Sequence, residues 1–339
     1  MKRLSPIGWS AAGIIVVALA TGAYLQFRRA ELPVAREPVE KLTIAVLTMP
    51  LSAGFFVAES KGLFRKYGLD VTLQIHTFGK PALAAVSEGT ADLALVAETP
   101  FVFSVLRGEK LKLIATFYNS TRHNVIVARR DRHIQGGADL AGKKIGVPIG
   151  TSAHFYLDTY LNLHRVTKGN IEITDMRGEE TVGAIASGRV DAIATFSPYD
   201  DQARRTLGDS AITLSDPTAY EMSVNIVGTS DFVNKRAGAV ERLMRALADA
   251  NDYMKGHAAE AKDITAGHLK MDRDLIDQLW GGESFGLSLS QTLFTLLEDE
   301  SRWAIRNKLT AATVVPNYLE FIYPDALAAV RPGRVTLIR

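Results

Sequence analysis

Short apolar runs rich in β-branched residues recur through this chain, each followed after a Gly/Ser/Thr/Pro turn by a segment of helical periodicity. That alternation leaves few architectures open. The first runs are LTIAVL (42–47), VTLQI (71–75), 93–96 and 111–117, with helices expected at 53–66, 79–87 and from Thr99-Pro100 onward. A β-α-β-α-β-α-β order with short connections predicts a mostly parallel sheet with helices on both faces. A second series follows: strands at 124–128, 144–147, 171–174, 192–195 and 211–214, with helices at 152–163, 180–187 and 197–206. Residues 224–228 (VNIVG) read as a strand that returns to the first sheet. Beyond Thr229 the pattern becomes almost wholly helical, over 234–255, 258–268, 273–280 and 290–309. These helices read as structural cover for the first series.

One unit repeats at corresponding places. In GKKIGVPIGTSAHFYL (142–157) a buried strand ends at Pro148-Ile149-Gly150, and Thr151-Ser152 open a helix. Such a turn exposes unpaired N–H groups and the positive end of a helix, which together accept an anion or a polar oxygen. No GxxxxGK[ST] is present, so the unit is not a phosphate P-loop. Thr99-Pro100 and Ser197-Pro198 occupy equivalent positions. In open α/β sheets ligands bind beyond the carboxyl ends of the strands. Crossings near 118–123 and 216–224 would join two lobes around such a cleft and let it close on a ligand. The competing reading of each start is an ordinary helix cap.

His154 sits in the first turn after the 151–152 cap and is a candidate donor to an oxyanion. Tyr199 follows the turn after a strand end, and Glu221 lies in the second crossing. Phe55, Phe78, Tyr118, Phe196 and Tyr199 are candidate walls for an organic ligand or members of the core. The other histidines show no metal spacing, and no nucleophile–base pair stands out. No cofactor is expected.

Lys2-Arg3 precede an apolar run from Ile7 to Phe27 that ends at Arg28-Arg29. It is long enough to span a bilayer, and Ala18-Leu19-Ala20 also fits a signal-peptidase site. The segment is an uncleaved anchor or a signal peptide, and both readings imply export. Net charge is +2, and these four basic residues leave −2 on the rest, which gives no reason to expect nucleic acid. The chain has no cysteine, which excludes disulfides, thiolate metal sites and a cysteine nucleophile.

Three stretches in order carry a resemblance: AVSEGTADLALVAETP (85–100), DLAGKKIGVPIGTSAHFYL (139–157) and GRVDAIATFSPYDDQA (188–203). LEDESRWAI (297–305) and the final nineteen residues, FIYPDALAAVRPGRVTLIR, add to it. Over about residues 40–339 the chain resembles the type II periplasmic substrate-binding proteins of the nitrate/sulfonate/taurine transport family. The resemblance implies a two-lobed α/β fold of mixed, mostly parallel sheets with a hinge, preceded by the N-terminal apolar helix. The expected division is 1–30 anchor or signal peptide, 31–40 linker, 41–120 first lobe, 121–222 second lobe and 223–339 first lobe again. It also implies a monomeric receptor in the periplasm, tethered to the inner membrane through residues 7–27 if these are retained. Such a receptor passes a small organic anion or zwitterion to an ABC permease and its ATPase. Carried over by position, ligand contacts fall near Ser52, Gly79, Thr99, Ser152, His154, Ser197 and Tyr199, with Thr151 beside them. Where many members have Gly-Asp, this chain has Ala97-Glu98. The Glu98 carboxylate implies either a cationic group on the ligand or rejection of a fully anionic one. The alternatives are an enzyme on the same fold and a membrane-tethered sensor.

Overall fold

The computed structural model describes residues 39–280 and 284–338. The apolar run at 7–27 and nearly all of the 31–40 linker lie outside the described residues. Among the described residues no helix is long and apolar enough to cross a membrane. Residues 39–339 form one compact unit.

The chain begins with β1 (Glu40–Leu47), a 3-10 turn at Pro50–Ser52, α1 (Ala53–Ser60), α2 (Leu63–Lys66) and β2 (Leu69–His76). Then come α3 (Gly79–Ser87), β3 (Leu93–Ala97), α4 (Glu98–Leu106) and β4 (Leu111–Ser120). The middle of the chain supplies β5 (Asn124–Arg129), β6 (Lys144–Val147), α5 (Ser152–Leu163), β7 (Glu172–Asp175), α6 (Gly178–Ala186), β8 (Ala192–Phe196), α7 (Tyr199–Leu207) and β9 (Ala211–Leu214). After β10 (Met222–Thr229) come α8 (Ser230–Lys235), α9 (Ala237–Gly256), α10 (Ala258–Leu269) and α11 (Arg273–Leu279). β11 (Ser284–Ser288), α12 (Gln291–Arg306) and α13 (Asp325–Val330) complete the set.

Two sheets result, ordered β11-β4-β10-β3-β1-β2 and β7-β6-β8-β5-β9. The pairs joined by helical crossovers are parallel: β1 with β2 and β3, and β6 with β7 and β8. β10 enters the first sheet from the second and runs antiparallel between β3 and β4, as the return of 224–228 requires. β5 is likewise antiparallel to β8 and β9. Central strands are covered on both faces, which is why they read as continuous apolar runs: Ile44, Ala45, Val46 and Leu93 to Val96 are wholly buried. The edge strand β2 alternates instead.

Three expectations need correction. The helix at 53–66 breaks at Gly62, which has φ +65°, the left-handed region that glycine tolerates. The helix expected at 234–255 is two, α8 and α9, with Arg236 between them in neither. The region past Thr229 is not wholly helical, because β11 pairs antiparallel with β4. Its five residues, SFGLS, alternate too briefly to signal a strand, and the register with β4 is itself irregular.

The core runs from the first sheet through α5 to one face of the second, and a smaller cluster around Val127, Ile185 and Ile193 covers the other face. α12 bridges the helices that flank the gap between the sheets. Its Trp303 ring meets Phe103 of α4 and Phe155 of α5 edge-on, at 6.0 and 5.2 Å.

Candidate functional site

The ends of β1, β3 and β8 and the start of β10 border one gap, at Leu47, Ala97, Phe196 and Met222. α4 starts at this gap beside Ala97 and Pro100, and two further helices start here, α3 at Gly79 and α5 at Ser152. The residues before them, Phe78 and Thr151, are extended, and neither caps its helix through a side chain. The Thr151 hydroxyl instead donates to the Pro148 carbonyl at 2.7 Å, and the Ser152 hydroxyl donates to Asn124 Oδ1 at 3.1 Å. First-turn N–H groups of both helices are therefore left for another acceptor. Gly79 packs closely on β3: a Cβ would stand 3.2 Å from Val96 Cγ2 and 3.3 Å from the Ala97 nitrogen. Phe78 and Phe196 face each other across the gap with ring centroids 6.3 Å apart. Between them remains a cavity of only about 40 Å³, space for a few water molecules.

Gly79, Thr151 and Ser152 thus line one cavity, Ser197 lines a second that shares Met49, Leu51 and His123 with it, and the other expected contacts line neither. Ser52 is buried, and its hydroxyl both accepts from the Leu47 nitrogen and donates to the Leu47 carbonyl, at 2.9 Å each, closing its own loop. The start of α4 is Glu98, not Thr99, and the Thr99 hydroxyl donates to Glu300 Oε1 at 2.8 Å inside the core. Glu98 points away from the gap. Its Oε2 accepts from the nitrogen and the hydroxyl of Ser223, at 2.9 and 3.0 Å. Burial pushes its carboxyl up to about 8, and the equally buried Glu300 beside it is also raised, by burial and then by Glu98. Glu98 Oε1 and Glu300 Oε2 are buried with no hydrogen-bond partner among the described residues, so both carboxyls are favoured in the neutral form. A carboxylate in this position cannot select a cationic ligand group.

His154 turns its Nδ1 to the Gly150 N–H at 3.4 Å and its ring edge-on to Trp303 at 4.9 Å. The Ser197 hydroxyl donates to Asp200 Oδ1 at 3.0 Å, and Asp200 and Asp201 occupy the first turn of α7, cancelling the positive end of that helix. Tyr199 packs on Phe196 at 5.9 Å and lies over Gly178, away from the cavity. Glu221 is exposed in the second crossing. Phe55 belongs to the core, against Phe117 at 5.0 Å.

His123 is the residue the sequence does not advertise. It ends the first crossing and stacks on Phe196 at 5.8 Å with the rings 8° from parallel. Burial lowers its pKa to about 4, so the imidazole is neutral at physiological pH. With Met49 and Leu51 it also lines a second, larger cavity of about 290 Å³. Its only sequence signal is its place immediately before a strand in the crossing. Phe78, Lys80, Arg177 and Phe196 border a third hollow of about 560 Å³, which shares Phe78, Lys80, Thr151 and Phe196 with the cavity at the helix starts. Among the described residues no group of three His, Cys, Asp or Glu could hold a metal ion.

A family model described as NMT1/THI5 like matches residues 49–261. A Brucella abortus (strain 2308) protein, provisionally named a binding protein, is 26% identical over 258 residues, 72% of this chain and 76% of its own length. The crystal structure of the periplasmic aliphatic sulphonate binding protein SsuA from Escherichia coli superposes with a TM-score of 0.71 at 18% identity, covering 84% of this chain and 97% of SsuA. The desulfurization enzyme DszB superposes with a TM-score of 0.63 at 18% identity, covering 87% of this chain and 99% of DszB.

Proposed function

Because the chain belongs to the NMT1/THI5-like family, we propose that it is a solute-binding protein which captures a small organic anion between its two sheets. One observation carries the reading. The uncapped starts of α3 and α5, which lie on different sheets, face the same gap between Phe78 and Phe196. Backbone N–H groups at a helix start receive an anionic head, and Lys80 lines the same cavity. Aromatic rings on either side cover an apolar body. The likeness to SsuA supports a sulfonate as the first head group to test.

The lobes would be 41–120 with 223–339, and 121–222. Closure about the crossings at 121–123 and 215–221 would bury the solute and present the closed form to an ABC permease and its ATPase, outside the inner membrane. The likeness to DszB favours a second reading, an enzyme on the same fold. Chemistry through a cysteine thiolate is closed to this chain, which has none.

A thermal-shift screen of alkanesulfonates, taurine, nitrate, benzoate and pyrimidines separates the readings, with mass spectrometry of each compound afterwards. Sulfonates are expected to raise the melting temperature and to be recovered unchanged. No shift with any compound would overturn the binding reading, and consumption of a compound would favour the enzyme.

A further inference from the structure

We propose that the solute carries a second anionic group, and that Arg122 receives it in the cavity beyond His123. The inference rests on the solute-binding reading and deepens it. The space left at the helix starts is about 40 Å³, while the adjoining cavity of about 290 Å³ approaches the size of ordinary ligand sites. The two share Met49, Leu51 and His123, so a ligand headed at Gly79 and Ser152 has a route past the His123 ring into the space of about 290 Å³.

The charges there decide the chemistry of the far end. Asp200 accepts from Arg204 at 2.9 Å as well as from Ser197. Asp201 pairs with Arg205 at 2.7 Å and with Arg204 at 3.6 Å. Both acids are therefore compensated. Arg122 lines the same cavity, its backbone N–H donates to Ser120 Oγ at 3.1 Å, and its guanidinium has no ion-pair partner among the described residues. A guanidinium offers paired donors that fit a carboxylate or sulfonate. Glu98, the carboxylate that would argue for an ammonium group instead, is turned into the core. Tyr118 and Leu279 supply apolar wall for the chain between the two groups.

Isothermal titration at fixed ionic strength tests this with two series: alkanesulfonates of increasing length ended by methyl, and the same chains ended by carboxylate. At the length that spans the two cavities the carboxylate-ended compound is expected to bind about tenfold more tightly. Arg122→Gln should bring that ratio near one, and Arg122→Lys should keep part of it. Arg122 is exposed, so an unchanged melting temperature of the variants certifies their fold. A ratio near one at every length in the native protein, or a ratio that survives in Arg122→Gln, overturns the inference alone. Binding of neither series overturns the sulfonate-binding reading together with it.

Discussion

The Trp303 indole Nε1 donates to Asp158 Oδ2 at 2.7 Å, and both residues are buried. This bond ties α12 to α5, the helix whose first turn faces the gap. Three residues earlier on α12, Glu300 accepts from Thr99 of α4. One helix thereby holds the flanks of both sheets.

Trp303→Phe keeps a ring against Phe103 and Phe155 but removes a donor from a buried carboxylate. A hydrogen bond to a charged group contributes about 2 kcal/mol, and a buried acceptor that loses it has no water to replace it. The variant is expected to lose stability of that order, seen as a lower urea midpoint at constant slope. An unchanged midpoint would mean that the bond contributes nothing.

Glu98 and Glu300 make stability depend on pH. Both carboxyls are raised in the folded protein, Glu98 to about 8 from an ordinary value of 4.5. Across that interval the folded protein binds more protons than the unfolded chain, so stability falls as pH rises. The part due to Glu98 is absent below about pH 4.5 and complete above about pH 8, and Glu300 adds to it in the same sense. Urea midpoints at pH 5 and pH 8 should differ in that sense after allowance for the exposed ion pairs. Glu300→Gln should flatten the difference, because its amide donates to Glu98 whether or not Glu98 is charged.

Gly79→Ala places a methyl group against the Ala97 nitrogen, and backbone cannot yield as a side chain does. The start of α3 must shift against β3 by a few tenths of an ångström. Affinity for the best ligand of the screen is expected to fall about tenfold, a loss of about 1.4 kcal/mol. Calorimetric titration measures it, and unchanged affinity would remove the α3 N–H groups from the site.

Phe78→Ala removes half of the aromatic pair and is expected to cost about five- to tenfold in affinity. Glu221→Ala serves as the contrast. Its side chain is exposed and lines none of the cavities at the gap, so affinity and melting temperature should stay within measurement error. A Glu221 variant that loses binding would place the second crossing in the site after all.

Much of the architecture is legible because parallel βαβ units announce themselves. Lys144–Val147, Ser152–Leu163 and Ala211–Leu214 carry in the structure the bounds their residues suggest. Ser284–Ser288 is not legible, because a short edge strand pairs through backbone and needs little from its side chains. Of the proposed site, the helix starts at Gly79 and at Thr151-Ser152 are legible, because local turn chemistry sets them. The sequence misleads where a side chain was expected to act, since a hydroxyl or carboxylate beside a helix start can turn either way. Ser52, Thr99 and Ser197 bond to their own loops or core.

The sequence by itself determined the two series of strands and helices and the helix starts after Phe78 and Thr151. Local periodicity and turn chemistry act within a few residues, so no long-range contact is needed to read them. Tertiary structure alone decided which polar groups face the gap. It turned Glu98 to Ser223 and Glu300, some 125 and 202 positions away in the chain, and it brought His123 onto Phe196. Partners so distant in sequence are chosen by packing, and packing is a property of the folded chain.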